Sequence, residues 1–316
     1  MNKKIRKSLF ILSENSRVST RQLSKELKVS QQSASYLVGQ LVKKKMITQY
    51  SLIVDPIKLG FINILVGLNY INFDKEIKKQ VVSELKSKDY IISLYEADSG
   101  IDLLVEFSVA NLSSFNKLHT EFIKKMHKHV NVKFIMPIVV KHIFSKNYLK
   151  DKLIHKDIVV GGDRETNILA NNEKIILNEL ISYPNATYIS MFKKTGITVR
   201  KIVTIKKKLE RLKIIRGYSC VFNHNKLGIS KRLILLKLSG KGISEVNSLV
   251  MYAKLNKNIV SLTKLLGDYN LLLFLEEVKC NTIVQEIREL FSVEDYLTIN
   301  ISTILKKRYS SLLSVD

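Results

Sequence analysis

The chain has 316 residues, 46% hydrophobic and 8% aromatic, with only three prolines and twelve glycines, a composition that buries real cores and leaves little room for disordered tracts. Its 52 basic residues stand against 28 acidic ones, and the formal net charge of +24 attracts polyanions, either nucleic acid or an anionic membrane. Apolar runs such as LILLKL (233–238) and NLLLFLEE (270–277) fall far short of the ~20 residues that cross a bilayer, and no small-residue cleavage site follows MNKKIRKSLFIL; a cytoplasmic protein without a membrane partner is expected.

Ile5, Leu9 and Leu12 lie at helical spacing, and SENSRVS breaks that helix. STRQLSKELKV predicts a second short helix capped by Ser19 or Thr20. Ser30 caps a third, with Ala34, Leu37 and Leu41 turned inward. QYSLIVDPIKLG reads as a strand or winged extension. Strands and helices then alternate as βαββαβ through VKFIMPIVVKHIF. The plan recurs: Gly60 and Gly228 are 228 − 60 = 168 apart, and at that offset Leu9 falls on Leu177, Leu41 on Leu209 and Tyr50-Ser51 on Tyr218-Ser219. This is an internal duplication. Late in the chain KNY at 146 meets KRY at 307, an offset of 161, so the second copy has lost about seven residues around its second sandwich helix. Expected boundaries are 1–52 and 167–220 for the helical units, 60–149 and 228–312 for the sandwiches, and 150–166 for a linker. The IVV of that linker is suited to an edge strand.

Three short helices with a tight turn before the third describe a helix-turn-helix, whose third helix enters the major groove. Gly196 occupies that turn in the second copy, where Lys28 stands in the first. The outward face of the first third helix offers Gln31, Gln32, Ser33, Ser35 and Tyr36 as readers of base edges, with Lys43 after them. Its counterpart offers Val199, Arg200, Lys201, Thr204, Lys207 and Lys208, with Lys206 and Arg211 adding to a cationic face. Double-stranded DNA is the expected partner. Phosphate-cradling, metal-binding and nucleophile motifs are absent, so no cofactor, metal or catalytic residue is expected; His119, His127 and His129 have only Glu121 near them. Cys220 and Cys280 lack C-x-x-C spacing and are expected as buried free thiols.

VSQQSASYLVGQLVKKKMITQYSLIVDPIKLG (29–60), the GDYNLLL turn (267–273), Gly196-Ile197-Thr198 and the two Lys-Leu-Gly links together resemble the Lrp/AsnC family of prokaryotic transcription regulators, twice over nearly the whole chain. The resemblance implies an α+β protein of two tandem units, each a winged-type helix-turn-helix followed by a ferredoxin-like RAM domain. It also implies RAM–RAM pairing within the chain or in a homodimer. It further implies an amino-acid effector near Ser99, Gly100 and Asp102 in the first copy and Gly267, Asp268, Tyr269 and Asn270 in the second. The chain departs from the Gly-x-Tyr-Asp pattern there, with Ser99 for the glycine, Ile101 for the aromatic and Asn270 for the aspartate. A siroheme-decarboxylase-like enzyme on the same duplicated scaffold is the alternative. His224 would serve it, but there is no tryptophan and no arginine-rich sheet to bind a polycarboxylate.

Overall fold

A computed structural model describes residues 2–72, 74–150, 152–278 and 282–315; Cys280 lies outside them, and Cys220 is buried and free. The first half runs α1 (Lys3–Glu14), α2 (Thr20–Leu27), α3 (Gln31–Lys43), β1 (Ile47–Val54), β2 (Ile62–Tyr70), α4 (Lys75–Ser87), β3 (Ile91–Ala97), β4 (Leu103–Val109), α5 (Leu112–Met126) and β5 (Val130–Phe144), with β6 (Asp157–Gly161) after it. The second half runs α6 (Asn171–Ser182), α7 (Tyr188–Thr195), α8 (Val199–Arg211), β7 (Ile215–Phe222), a single turn α9 (His224–Leu227), β8 (Ser230–Leu238), α10 (Gly240–Ser244), α11 (Val246–Leu255), β9 (Ile259–Leu265), β10 (Leu271–Glu277), α12 (Ile283–Leu290) and β11 (Val293–Lys307). The shortening of the second copy sits in one element: α5 has 15 residues and α12 eight.

Local chemistry sets the helix ends. The hydroxyls of Ser19 and Ser30 accept from the amides of Gln22 and Ser33, capping α2 and α3, and Thr187 caps α7 through the Ser190 amide. Thr198 holds the N-cap position of α8 but makes no side-chain capping bond. Leu23, Ala34 and Leu41 are buried in the first unit and Met191, Ile202 and Leu209 in the second, as the 3.6-residue period demands.

Each βαββαβ segment makes a four-stranded antiparallel sheet, and the two sheets do more than face each other. They join edge to edge in the order β2-β4-β3-β11-β8-β10-β9-β5, and β5 returns to β2. The barrel closes because the last strand of each copy is 15 residues long. β5 pairs with β2 through Val130–Ile138 and then with β9 through Ile138–Ile143; β11 pairs with β8 through Val293–Asn300 and then with β3 through Ile301–Lys307. Closure removes the unpaired edges that an isolated sheet exposes. β6, within the expected linker, extends the sheet on β5.

Leu65, Tyr95, Leu104, Met136, Leu235 and Ile299 are among the side chains that fill the barrel interior, each leucine or isoleucine contributing about 1.5–3 kcal/mol by burial. Gly67 is needed there because a Cβ would sit 2.5 Å from the ring of Phe134. α4 and α5 cover the outside of one sheet, α11 and α12 the other.

Candidate nucleic-acid interface

The strand after each recognition helix crosses to the other copy. β1 and β7 form a two-stranded antiparallel ribbon with Ile47 opposite Phe222 and Val54 opposite Ile215. α3 therefore enters at one end of the ribbon and α8 at the other, about 25 Å apart at 3.3 Å per residue. The helical units dock on the ribbon crosswise. Leu9, Phe10 and Leu12 of α1 pack with Cys220 and Phe222 of β7, while Ile176, Leu177 and Leu180 of α6 pack with Leu52 and Val54 of β1.

The two helical units also touch directly. Arg17 donates to the carbonyl of Pro184 at 2.7 Å and lies over the rings of Tyr188 and Tyr218, and Ser16 donates to Asn185 at 3.2 Å. Sequence reasoning missed this contact, although a signal existed. Residues 16–17 and 184–185 are counterparts under the 168-residue register, and counterparts meet where a two-fold axis passes.

Gln31, Gln32, Ser33, Ser35, Tyr36 and Lys43 are all exposed on α3, Tyr36 to 68%. On α8, Val199, Arg200, Lys201, Thr204, Lys207, Lys208 and Arg211 are exposed. Arg200, Lys201, Lys207 and Arg211 make no side-chain ion pair among the described residues, whereas Lys208 is bound to Glu173 of α6 at 2.6 Å and Lys206 to Glu210 at 2.7 Å. Glu210 also accepts from the Tyr218 hydroxyl at 3.0 Å; burial, then that carboxylate, pushes the phenol well up. Thr204 donates back to the Arg200 carbonyl within α8. The free cations thus lie on the first turn of α8 and along its outer edge. The turns that aim both helices are left-handed: Gly196 at φ 70° and, unusually for a side-chain-bearing residue, Lys28 at φ 55°.

The turns named as effector contacts do structural work. Asp102 accepts from the Tyr70 amide at 2.8 Å and its counterpart Asn270 from the Leu238 amide at 2.7 Å, so either side chain locks the end of a neighbouring strand. Ser99 accepts from the Asn300 amide of the other copy, and a Cβ on Gly100 would meet the Thr298 carbonyl at 2.6 Å. Gly267 lies against Met136 in the same way, while Tyr269 packs at the barrel interior, half-buried, and Asp268 is exposed. His119 stacks on Phe115, and His224 is buried at the start of α9 with its pKa lowered by burial and by Lys231.

Two helix-turn-helix units held apart by a ribbon on a closed RAM-type barrel define a tandem DNA-binding regulator scaffold. Residues 1–48 match the family described as winged helix-turn-helix DNA-binding. The HTH-type transcriptional regulator Ptr1 of Methanocaldococcus jannaschii is 31% identical over 127 residues, covering 40% of this chain and 82% of that protein. An uncharacterized HTH-type transcriptional regulator of Pyrococcus furiosus is 29% identical over 138 residues, covering 42% of this chain and 89% of its own length. The crystal structure of the siroheme decarboxylase NirDL shares the fold along the whole chain, with a TM-score of 0.61, 14% identity and coverage of 98% here and 94% there. The chain belongs to the family of HTH-type transcriptional regulators that the Methanocaldococcus jannaschii protein represents. No helix among its described residues is long and apolar enough to cross a membrane.

Proposed function

We propose that this chain binds double-stranded DNA and regulates transcription by presenting two unlike recognition helices, α3 and α8, to two unlike half-sites from one polypeptide. The observation that carries this is the exposure of Arg200, Lys201, Lys207 and Arg211 on α8 without carboxylate partners among the described residues, on a helix whose buried stripe points the opposite way. Unpaired cations of this kind are suited to phosphate oxygens and to the O6 and N7 atoms of guanine. α3, with Gln31, Gln32, Ser33 and Ser35 exposed, is suited to adenine edges and backbone. The helices leave the ribbon at opposite ends, which suits half-sites about one helical turn, ~34 Å, apart.

A regulator is favoured over an enzyme because α8 holds four exposed cations without carboxylate partners among the described residues, whereas His224 is buried. The action belongs in the cytoplasm, where the DNA is. Selection of bound fragments from random DNA, followed by mobility shifts across a salt series, tests this. The expected site has two non-identical halves, and log affinity falls linearly with log salt, by about 0.9 for each phosphate neutralised. Affinity too weak to measure with selected or promoter DNA even at low salt overturns the proposal.

A further inference from the structure

Between the open end of the barrel and the β1–β7 ribbon lies an interior cavity of about 120 Å³. Its wall is largely apolar, with Leu104, Leu233 and Phe274 from the barrel and Ile53 from the ribbon, but eight charged side chains also face it. Glu106 is held by Lys141 at 2.8 Å and by the Asn63 amide at 3.1 Å. Glu276 is held by Lys146 at 2.5 Å, by the Tyr148 hydroxyl at 2.6 Å and more loosely by Lys231 at 3.4 Å. Lys307 has no carboxylate among the described residues; it donates to the Tyr95 hydroxyl at 2.5 Å and to Ser93 at 3.4 Å.

With Glu14 and Lys156 paired at the mouth, the remaining four ammonium groups against two carboxylates leave an excess of 4 − 2 = 2 positive charges in a region where Glu106, Glu276 and Lys231 are each at most 4% exposed. Uncompensated buried charge is costly, by several kcal/mol per ion. Ser51 on β1 also lines the space, 4% exposed, with a hydroxyl that finds no hydrogen-bond partner among the described residues. A ligand that suits this lining has an anionic head for the lysines and Ser51 and an apolar body for the leucines. A zwitterion would bring a further ammonium into a site already in cationic excess.

We propose that this space binds a small organic anion, a carboxylate with an apolar body, and that the bound anion alters the ribbon that carries both helix-turn-helix units. The wall itself supplies the link: Ser51 and Ile53 belong to β1, Ser219 and Cys220 to β7, and Ser13 and Glu14 to the end of α1. The Glu14–Lys156 ion pair, 3.2 Å long and partly exposed, stands at the mouth. The site is distinct from the 99–102 and 267–270 turns, whose polar groups are already used by strand ends.

The binding claim stands by itself; its effect on the helical units rests on the DNA-binding reading, and the experiment keeps the two apart. Calorimetric titration of the full chain without DNA uses octanoate and phenylacetate as probes, octan-1-ol as the uncharged analogue and leucine as the zwitterion. One carboxylate should bind saturably, with the alcohol and leucine at least about tenfold weaker. Lys307→Gln should weaken that binding about tenfold to a hundredfold. Ser51→Leu, which fills the space and leaves every charge in place, should abolish it. Octanol matching octanoate, leucine binding more tightly, no carboxylate binding at all, or both variants binding as the parent does would each overturn the site. DNA affinity without probe tests the DNA reading alone. A bound carboxylate that leaves DNA affinity unchanged at fixed salt overturns the coupling.

Discussion

The two copies perform one architectural role with different chemistry at equivalent positions. The first recognition helix presents neutral amides and hydroxyls at Gln31, Gln32 and Ser33, where the second presents Val199, Arg200 and Lys201. Inside the barrel Asn63 of the first copy reaches Glu106 on the adjacent strand, and its counterpart Lys231 reaches Glu276 on the strand equivalent to it. In the turn before the recognition helix, Lys28 bears a strain that Gly196 avoids. Backbone hydrogen bonding and apolar periodicity are shared, because they hold the scaffold. Exposed and charged positions have diverged, because no scaffold contact constrains them, and a tandem chain can do this where two identical subunits cannot.

The largest expected effect tests the difference between the helices. Arg200→Ala with Lys201→Ala should reduce DNA affinity by roughly 1–3 kcal/mol for each side chain that reads a base, and should lower the salt slope by about 0.9 per phosphate no longer neutralised. Competition mobility shifts read the affinity. Unchanged binding would move the dominant DNA contact to α3 and reverse the ranking of the copies.

A smaller effect separates Lys231 from Asn63. Burial lowers the Lys231 ammonium to about 8 despite Glu276, with Lys146 and Lys307 opposing its charge further and His224 and Cys220 also facing it. Burial likewise raises the Glu276 carboxyl, but Lys146, Lys231 and the Tyr148 hydroxyl outweigh it and bring the group down to about 2, so the carboxylate stays ionised and the loosely held lysine carries the cost. Since the folded form of Lys231 releases its proton before the unfolded form does, its cost is fully present below pH 8 and is relieved as pH rises from about 8 to 10.5, by up to ~3 kcal/mol. Denaturant unfolding between pH 7 and 10 should show that rise in the parent and a smaller one in Lys231→Met, where Lys306, also lowered to about 8 by burial, still contributes. A parallel rise in both would remove the distinction between the two copies.

The smallest effect concerns the turns. Lys28→Gly should stabilise the chain by about 1 kcal/mol by relieving a left-handed side-chain-bearing residue, and Gly196→Ala should destabilise it by a similar amount. Thermal unfolding of the pair measures both. Equal and opposite shifts would show that the two turns are otherwise alike.

Much of this molecule is legible in its amino-acid order. The 168-residue register, the serine caps at 19 and 30 and the inward stripes of α3 and α8 all follow from interactions within one turn or one strand, which short stretches of sequence encode directly. The exposed faces of α3 and α8 follow from the same periodicity, since positions opposite a buried stripe must meet solvent. Which cations stay unpaired does not follow: Lys208 is taken by Glu173 from a helix 35 residues away, and no local pattern announces that.

The tertiary structure alone decided how the copies meet. The sequence carried two βαββαβ runs with apolar residues on both faces of their strands, which requires a covering surface without specifying one. Whether the long β5 and β11 would stop at the end of their own sheets or run on to β9 and β3 depended on strand pairing between residues more than a hundred positions apart. The charge excess around Lys307 arose the same way. Its lysines and glutamates come from β4, β5, β8, β10 and β11, with Lys146 just past β5, and became neighbours only when the barrel closed, because closure is a property of all eight strands together and of no segment alone.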